Sequence, residues 1–389
     1  MHSPQGKSGA YFDPSEIDIK HFQEICQQVT QQADYPHAEQ LLDNIVIYSG
    51  EVIRGIIGDA DQEKKLKEEY IHCLKEGPGV FVIKDAYVNI SVIDRCNEVF
   101  RTIVAQEKSL NQNKGDHFGD NERIWNSLQK TCLIDPELFL DYYGNSILSS
   151  ACEAWLGPHY RMTAQMNNVR PGNKAQEAHR DYHLGFQSRQ TISRYPTHAQ
   201  IMSQFLTLQG AVAHCDMPIE MGPTLFLPFS QQYPAGYMAF RRPDFAEFFA
   251  NNKVQIPFAK GDAVFFNPAL FHAGGSNSSD KDRVANLLQV SSVFGRTMET
   301  IDNDAMVEAV YPALLARVVA DTLSEREIRD MIAAVAEGYS FPTNLDSDPP
   351  VGGNAPESGQ QLLHRAISEQ WPIEQLKIAI ADYATRQQA

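Results

Sequence analysis

His179-Arg180-Asp181 places two side chains able to bind a metal at a spacing that lets them act together. If residues 176 to 185 are extended, side chains alternate faces, so His179 and Asp181 point the same way and can grip one ion. A second histidine from a distant strand completes a two-histidine, one-carboxylate set, and Phe271-His272-Ala273 offers it. That set suits non-haem Fe(II), because it holds one face of an octahedron and leaves the opposite face to substrates. A lone His-x-Asp is a weak signal in a chain with 12 histidines. The bland alternative is a surface ion pair beside Arg180. The downstream context shifts the balance. His272 follows an apolar run and the Asn267-Pro268 turn, and Arg283 stands near the start of another apolar run.

The bulk properties allow such a site. A chain of 389 residues holds two or three domains at about 150 residues each, although barrels and sandwiches often run longer as one unit. A formal net charge of -16 argues against nucleic acid or an anionic membrane as partner, leaving a small-molecule substrate. The six cysteines form no CxxC pair, which points to free thiols in a reducing compartment. Residues 1 to 11 have no apolar signal core, and no run reaches the roughly 18 apolar residues of a membrane span. A soluble, cytoplasmic protein is the expectation.

The elements that must position these residues change character along the chain. Residues 1 to 60 read as an N-terminal helical extension: Asp13-Pro14-Ser15-Glu16 starts a helix, with Ile17, Phe22, Ile25 and Val29 as its stripe. A charged helix follows over 62 to 76. It stops at Gly77-Pro78-Gly79, and Val80 to Ile83 is a buried strand. Ser91 opens a helix to Lys108, and 135 to 156 is helical. Residues 109 to 130 suit a loop or lid holding His117, Arg123 and Trp125. From Tyr160 onward the pattern is of short strands broken by Gly, Pro and Asn: 160 to 169, 178 to 183, 204 to 215, 224 to 228, 254 to 258, 263 to 266 and 285 to 294. Gly261-Asp262 is a hairpin signal between two of them. This fits a mainly β core with flanking helices (α+β), a double-stranded β-helix or jelly roll as in cupins, over 61 to 300. Residues 301 to 389 read as a C-terminal helical extension, interrupted by a loop at 342 to 360. Its helices are free to brace the barrel, cover its mouth or form a homo-oligomer interface.

Several stretches together resemble the Fe(II)/2-oxoglutarate-dependent oxygenases, and within them the phytanoyl-CoA dioxygenase-like family. They are His179-Arg180-Asp181, the run from Met221-Gly222-Pro223 to Pro228-Phe229-Ser230, Gly261-Asp262-Ala263-Val264-Phe265-Phe266 before His272, and the His272-to-Arg283 spacing. Gly79 to Asp85 is similar to the start of the family's domain, so the resemblance covers about residues 77 to 296. It implies Fe(II), 2-oxoglutarate and O2, with His179, Asp181 and His272 on the iron and Arg283 on the distal carboxylate of 2-oxoglutarate. The planar, permanently charged guanidinium is suited to that last role, since it pairs bidentately with a carboxylate. The implied reaction releases succinate and CO2 and oxidises a C–H bond of the substrate. The family's halogenating relatives lack the carboxylate that Asp181 supplies, so hydroxylation or another oxidation is implied.

Other residues are candidates set against plainer roles. Gln165 and Gln204 are placed beside the cosubstrate and Asn167 beside the substrate, against core hydrogen bonding. His183 continues the face of His179 and Asp181 and reads as a neighbour of the site. Arg123, in the lid, and Arg189 and Arg194, after the ligand strand, can meet a substrate or stay solvated. Phe205, Phe226 and Phe266 read as core. Met221 and Phe229 depart from the family pattern, which often has Asn or Glu and Gly there, so the resemblance names no substrate. Two other classes stay open: a cupin-like metalloenzyme that does not use 2-oxoglutarate, and a catalytically silent binding protein.

Overall fold

The computed structural model describes residues 9–110, 121–350 and 352–388. His117 lies outside them. Ten strands are described: β1 (Gln40–Leu42), β2 (Ile45–Ser49), β3 (Val80–Lys84), β4 (Glu122–Ile124), β5 (Arg161–Val169), β6 (Thr207–Ala213), β7 (Leu225–Phe226), β8 (Ala263–Phe266), β9 (His272–Ala273) and β10 (Arg283–Ser291). Eight of them form one sheet in the order β1-β2-β3-β8-β6-β10-β5-β4, antiparallel except for β2 beside β3. The other two, β7 and β9, pair antiparallel. Isolated bridges from His179 to His272 and from Val254 to Phe226 widen this second layer to four segments. Two facing layers of this kind are the jelly-roll arrangement expected from the strand pattern.

The large sheet has two different faces, because successive side chains of a strand point opposite ways. One face carries Val46, Tyr48, Phe81, Ile83, Phe265, Leu208, Val212, Leu288, Val290, Ala164 and Met166, all in a single apolar core with the flanking helices. Among those helices are Ala60–Lys75, Ile90–Ser109, Ser146–Leu156 and Asn303–Val319. The other face carries Ile45, Ile47, Val80, Val82, Val264 and Phe266 at the β2 end, packed on Phe226 and Ile256 of the second layer. Toward β10, β5 and β4 this inner face becomes polar, and the candidate site lies there.

Several expectations change. Residues 1 to 60 are more than a helical extension, since β1 and β2 belong to the main sheet and Ile45 to Tyr48 are buried. Their two-residue connection, Asp43-Asn44, has positive φ at both positions (49° and 69°), the backbone of a tight hairpin turn that Asp and Asn tolerate. The helix Ile19–Cys26 does bury Phe22, but Val29 lies beyond its end and is 67% exposed. Residues 254 to 258 make only single bridges. Phe205 is 36% exposed rather than core. Residues 303 to 387 brace the outer face: Met306, Val310, Leu314, Ile332 and Leu363 share the core of the sheet-flanking helices. No helix among the described residues is long and apolar enough to cross a membrane.

At the end of β6, His214 is buried within a closed set of partners. Asn97 Nδ2 donates to the His214 carbonyl at 3.2 Å, which turns Asn97 Oδ1 to the ring Nδ1 at 2.8 Å. The Tyr142 hydroxyl meets Nε2 at 2.7 Å. A neutral ring satisfies both contacts, and burial brings its pKa down to about 3 from an ordinary 6.5. The unfolded chain therefore takes up a proton at this residue below about pH 6.5 that the native chain does not, so stability falls as pH falls, by up to ~1.4 kcal/mol per unit. Urea unfolding at stepped pH is expected to show a shallower fall between about pH 6.5 and 5 for His214→Gln than for the parent. An equally steep fall in both proteins refutes the assignment.

Candidate metal centre

His179 and His272 face each other across one bridge of the second layer. The His179 amide donates to the His272 carbonyl at 2.9 Å, and the His272 amide returns the bond at 3.1 Å. Each ring is oriented in the same way: Nδ1 lies 2.8 Å from the Glu177 carbonyl in one case and 2.9 Å from the Leu270 carbonyl in the other. A carbonyl can only accept, so each Nδ1 carries the proton and each Nε2 is left as a lone-pair donor. Asp181 is held by its amide to the Pro268 carbonyl at 3.0 Å. Its carboxylate lies 3.7 Å from His179 Nε2 and 3.4 Å from His272 Nε2.

The three ligand atoms lie within 4.8 Å of one another, close enough to share one ion. Burial alone raises the Asp181 carboxyl, but the two imidazoles and the Gln209 amide, 2.5 Å from Oδ2, hold it well below the carboxylate range. Burial and the neighbouring His272 ring push His179 down, which favours the neutral, ligating form. The extended stretch stops there. Tyr182 and His183 both take positive φ (59° and 37°), so His183 does not continue the face of His179 and Asp181, and its two ring nitrogens are buried without partners.

Arg180, between the two candidate ligands, points the opposite way and is 2% exposed. Its Nη2 donates to the Ser230 and Tyr233 carbonyls at 2.6 and 3.1 Å. Its guanidinium lies 5.1 Å from the ring centres of both Tyr237 and Phe271. Gly236 is required beside it, because a Cβ there would sit 1.9 Å from the Arg180 Cζ. The surface ion pair weighed for this segment is thus excluded, since Arg180 bonds to carbonyls in the core. Nearby, Phe229 adopts φ 68°, a left-handed backbone that glycine takes at no cost.

A cavity on the inner face of the large sheet is lined in part by Asn167, Ala211, Ala213, Thr224 and Arg283. The triad is not in that lining, but β6 joins the two, since Gln209, Ala211 and Ala213 share one face of the strand. Arg283 Nη1 and Asn167 Oδ1 are buried without hydrogen-bond partners. Burial lowers the Arg283 pKa to about 10, so it keeps its charge at neutral pH.

The remaining candidates divide. Gln165, fully buried on β5, is spent on its neighbours: Oε1 accepts Arg123 Nη1 at 2.8 Å, and Nε2 donates to Gln289 Oε1 at 3.3 Å. Arg123 is in the short strand β4 rather than a loop, and pairs with Asn167 in register. Gln204 ends the helix Thr197–Ser203 instead of lying in a strand, and its Oε1 accepts from Asn267 at 3.1 Å. Arg189 and Arg194 are exposed, away from the triad. Gln209, Gln289 and Glu299 went unread in the sequence. A period-two reading finds the first two: Gln209, Ala211, Ala213 on β6 and Arg283, Ala285, Leu287, Gln289 on β10 each line up on one face.

Residues 60–285, more than half of the chain, match the phytanoyl-CoA dioxygenase (PhyH) family. The chain belongs to the phytanoyl-CoA dioxygenase family. It is therefore an enzyme of the non-haem iron, 2-oxoglutarate-dependent class. No functionally curated protein matches it. Among solved structures, the non-haem α-ketoglutarate-dependent epimerase SnoN from nogalamycin biosynthesis is 15% identical, over 60% of this chain and 84% of that one, with a TM-score of 0.41. The carbocyclase SnoK from the same biosynthesis is 18% identical, over 59% and 85%, with a TM-score of 0.43. AviO1 from Streptomyces viridochromogenes Tue57 is 14% identical, over 59% and 96%, with a TM-score of 0.42. None of these likenesses is close enough to pass on a substrate.

In this member of the phytanoyl-CoA dioxygenase family, Arg180 fastens the ligand segment from behind. Arg180→Ala removes the guanidinium's two bonds to the buried Ser230 and Tyr233 carbonyls and opens a cavity, and is expected to cost ~3 kcal/mol of stability. Fe(II) affinity should fall with it. Denaturant unfolding and a competitive chelator titration check the two effects; a variant with unchanged stability contradicts the anchoring role.

Proposed function

We propose that this chain is an Fe(II)- and 2-oxoglutarate-dependent oxygenase that hydroxylates, or otherwise oxidises, an unactivated C–H bond of a small molecule. For hydroxylation the balance is 2-oxoglutarate, O2 and R–H giving succinate, CO2 and R–OH. The observation that carries the reading is a pair of features: a partly buried His-Asp-His cluster whose Nδ1 atoms are spent on backbone carbonyls, and a cavity on the same sheet face holding a partnerless Arg283 Nη1. Two neutral imidazoles and one carboxylate fit a doubly charged iron, since they leave net positive charge for an anionic chelate.

In this reading His179, Asp181 and His272 hold the iron, which supplies O2 activation coupled to decarboxylation of 2-oxoglutarate. Arg283 pairs with the distal carboxylate through its planar fork, and Asn167 adds a polar contact in the same cavity. Gln209 would orient the Asp181 carboxylate by donating to Oδ2. The carbonyls of Glu177 and Leu270 hold the two imidazoles in the ligating tautomer. Ala211 and Ala213 share the lining of the cavity with Arg283 and leave room beside it. Residues 40 to 300 form the catalytic unit, with 303 to 387 as its brace.

Anaerobic addition of Fe(II) and 2-oxoglutarate is expected to raise the visible charge-transfer band of the chelate, and admission of air to yield succinate. His179→Ala should remove both. Arg283→Ala should raise the 2-oxoglutarate requirement by about a hundredfold, the loss expected of a buried charge-assisted pair, while leaving Fe(II) binding in place. Succinate formation that survives His179→Ala in well-folded protein overturns the proposal.

A further inference from the structure

Away from Arg283, the inner face carries a row of buried polar side chains running from the triad across the sheet to β4. Gln209 begins it. The carboxylate of Asp181 requires the donor end of the amide, so Gln209 Oε1 points away from it as an acceptor. That oxygen has no partner, although the residue is only 6% exposed. Register places Gln289 directly opposite Gln209. Gln289 Oε1 is taken by Gln165, so Gln289 offers its Nε2 hydrogens. Arg123 holds the far side of Gln165. Glu299 closes the row, its Oε1 accepting the Asn126 amide at 2.7 Å with Gln165 and Arg123 beside it. The side chains of His179 and Asp181 keep 28% and 18% of their surface exposed, and Gln209 touches Asp181 directly.

A hydrocarbon placed against Gln209 Oε1 and the Gln289 Nε2 hydrogens returns no bond to either, at a cost of about 1–3 kcal/mol for each donor or acceptor left unpaired. A ligand that both accepts and donates at successive positions satisfies it, and hydroxyl groups do so. Burial raises the Glu299 pKa to about 7, so its carboxyl is only partly ionised at neutral pH. Arg123 is engaged by Gln165 behind the two glutamines.

We propose that Gln209 Oε1 and Gln289 Nε2, backed by the bonded set of Gln165, Arg123 and Glu299, form the substrate-binding wall, and that it takes an uncharged, multiply hydroxylated ring rather than an acyl chain. The proposal rests on the position of the metal argued above. Ligand-observed saturation-transfer NMR on the full chain, with methyl α-D-glucopyranoside and decanoate as probes, tests it. Transfer to the glycoside protons and not to decanoate is expected, with affinity for the glycoside at least about fivefold weaker in Gln289→Leu. Transfer to decanoate alone, transfer to neither probe, or glycoside binding undiminished in a folded Gln289→Leu overturns it. The comparison of the two probes on the unaltered chain decides even if the variant does not fold. Run without iron or 2-oxoglutarate, the measurement is independent of the chelate band, so its failure and failure of the oxygenase reading are told apart.

Discussion

Two backbone hydrogen bonds between His179 and His272 are the constraint on which the site depends. The residues are far apart in the chain, and nothing local holds either in place. The reciprocal bonds set them side by side in one register, and a slip by one residue would turn one imidazole to the opposite face. Each surrounding feature serves this pair. Arg180 pins one strand of the bridge from behind, Pro268 receives the Asp181 amide, and the carbonyls two residues before each histidine select its tautomer. An ion bound there completes an arrangement that the backbone has already prepared, which lowers the ordering cost of binding.

The second constraint is the division of the large sheet into a face that packs and a face that reacts. The helices, those beyond residue 300 included, cover the outer face with one continuous apolar core. This leaves the inner face free to hold side chains that a core would reject. The polarity is graded along that face. Beside β2 and β3 it is aliphatic and closes against the second layer; at β6 and β10 it mixes alanines with glutamines; at β5 and β4 it carries Gln165, Asn167 and Arg123.

The sequence announced the chemistry more clearly than the architecture around it. The grouping of His179, Asp181 and His272 was legible because their types could share one ion and their spacing is tied to turn signals such as Gly261-Asp262. The strands 160 to 169 and 263 to 266 were legible from uninterrupted apolar or alternating runs. The hairpin at Asp43-Asn44 was not, because the preceding three-residue strand has no periodicity to read. The end of the ligand stretch was hidden as well: nothing in Tyr182 or His183 suggests positive φ, which tertiary packing imposes. Gln209 and Gln289 were passed over because a buried glutamine is usually a satisfied core residue. Their pairing across β6 and β10 emerges only from the register.

The two ends of the interior use different physics, and this separation has a consequence for specificity. In the proposed reading Arg283 recognises by charge, in a largely apolar cavity, and binds a carboxylate there strongly. The glutamine row recognises by paired donors and acceptors, where the penalty for an unmatched group exceeds the gain from a matched one. A diacid gains little along the row, since Gln209 Oε1 repels a carboxylate. A neutral polyol gains little at Arg283. Each compartment therefore rejects the other's ligand, and the Asp181 carboxylate, touched by Gln209 on one side and facing the histidines on the other, marks the boundary between them.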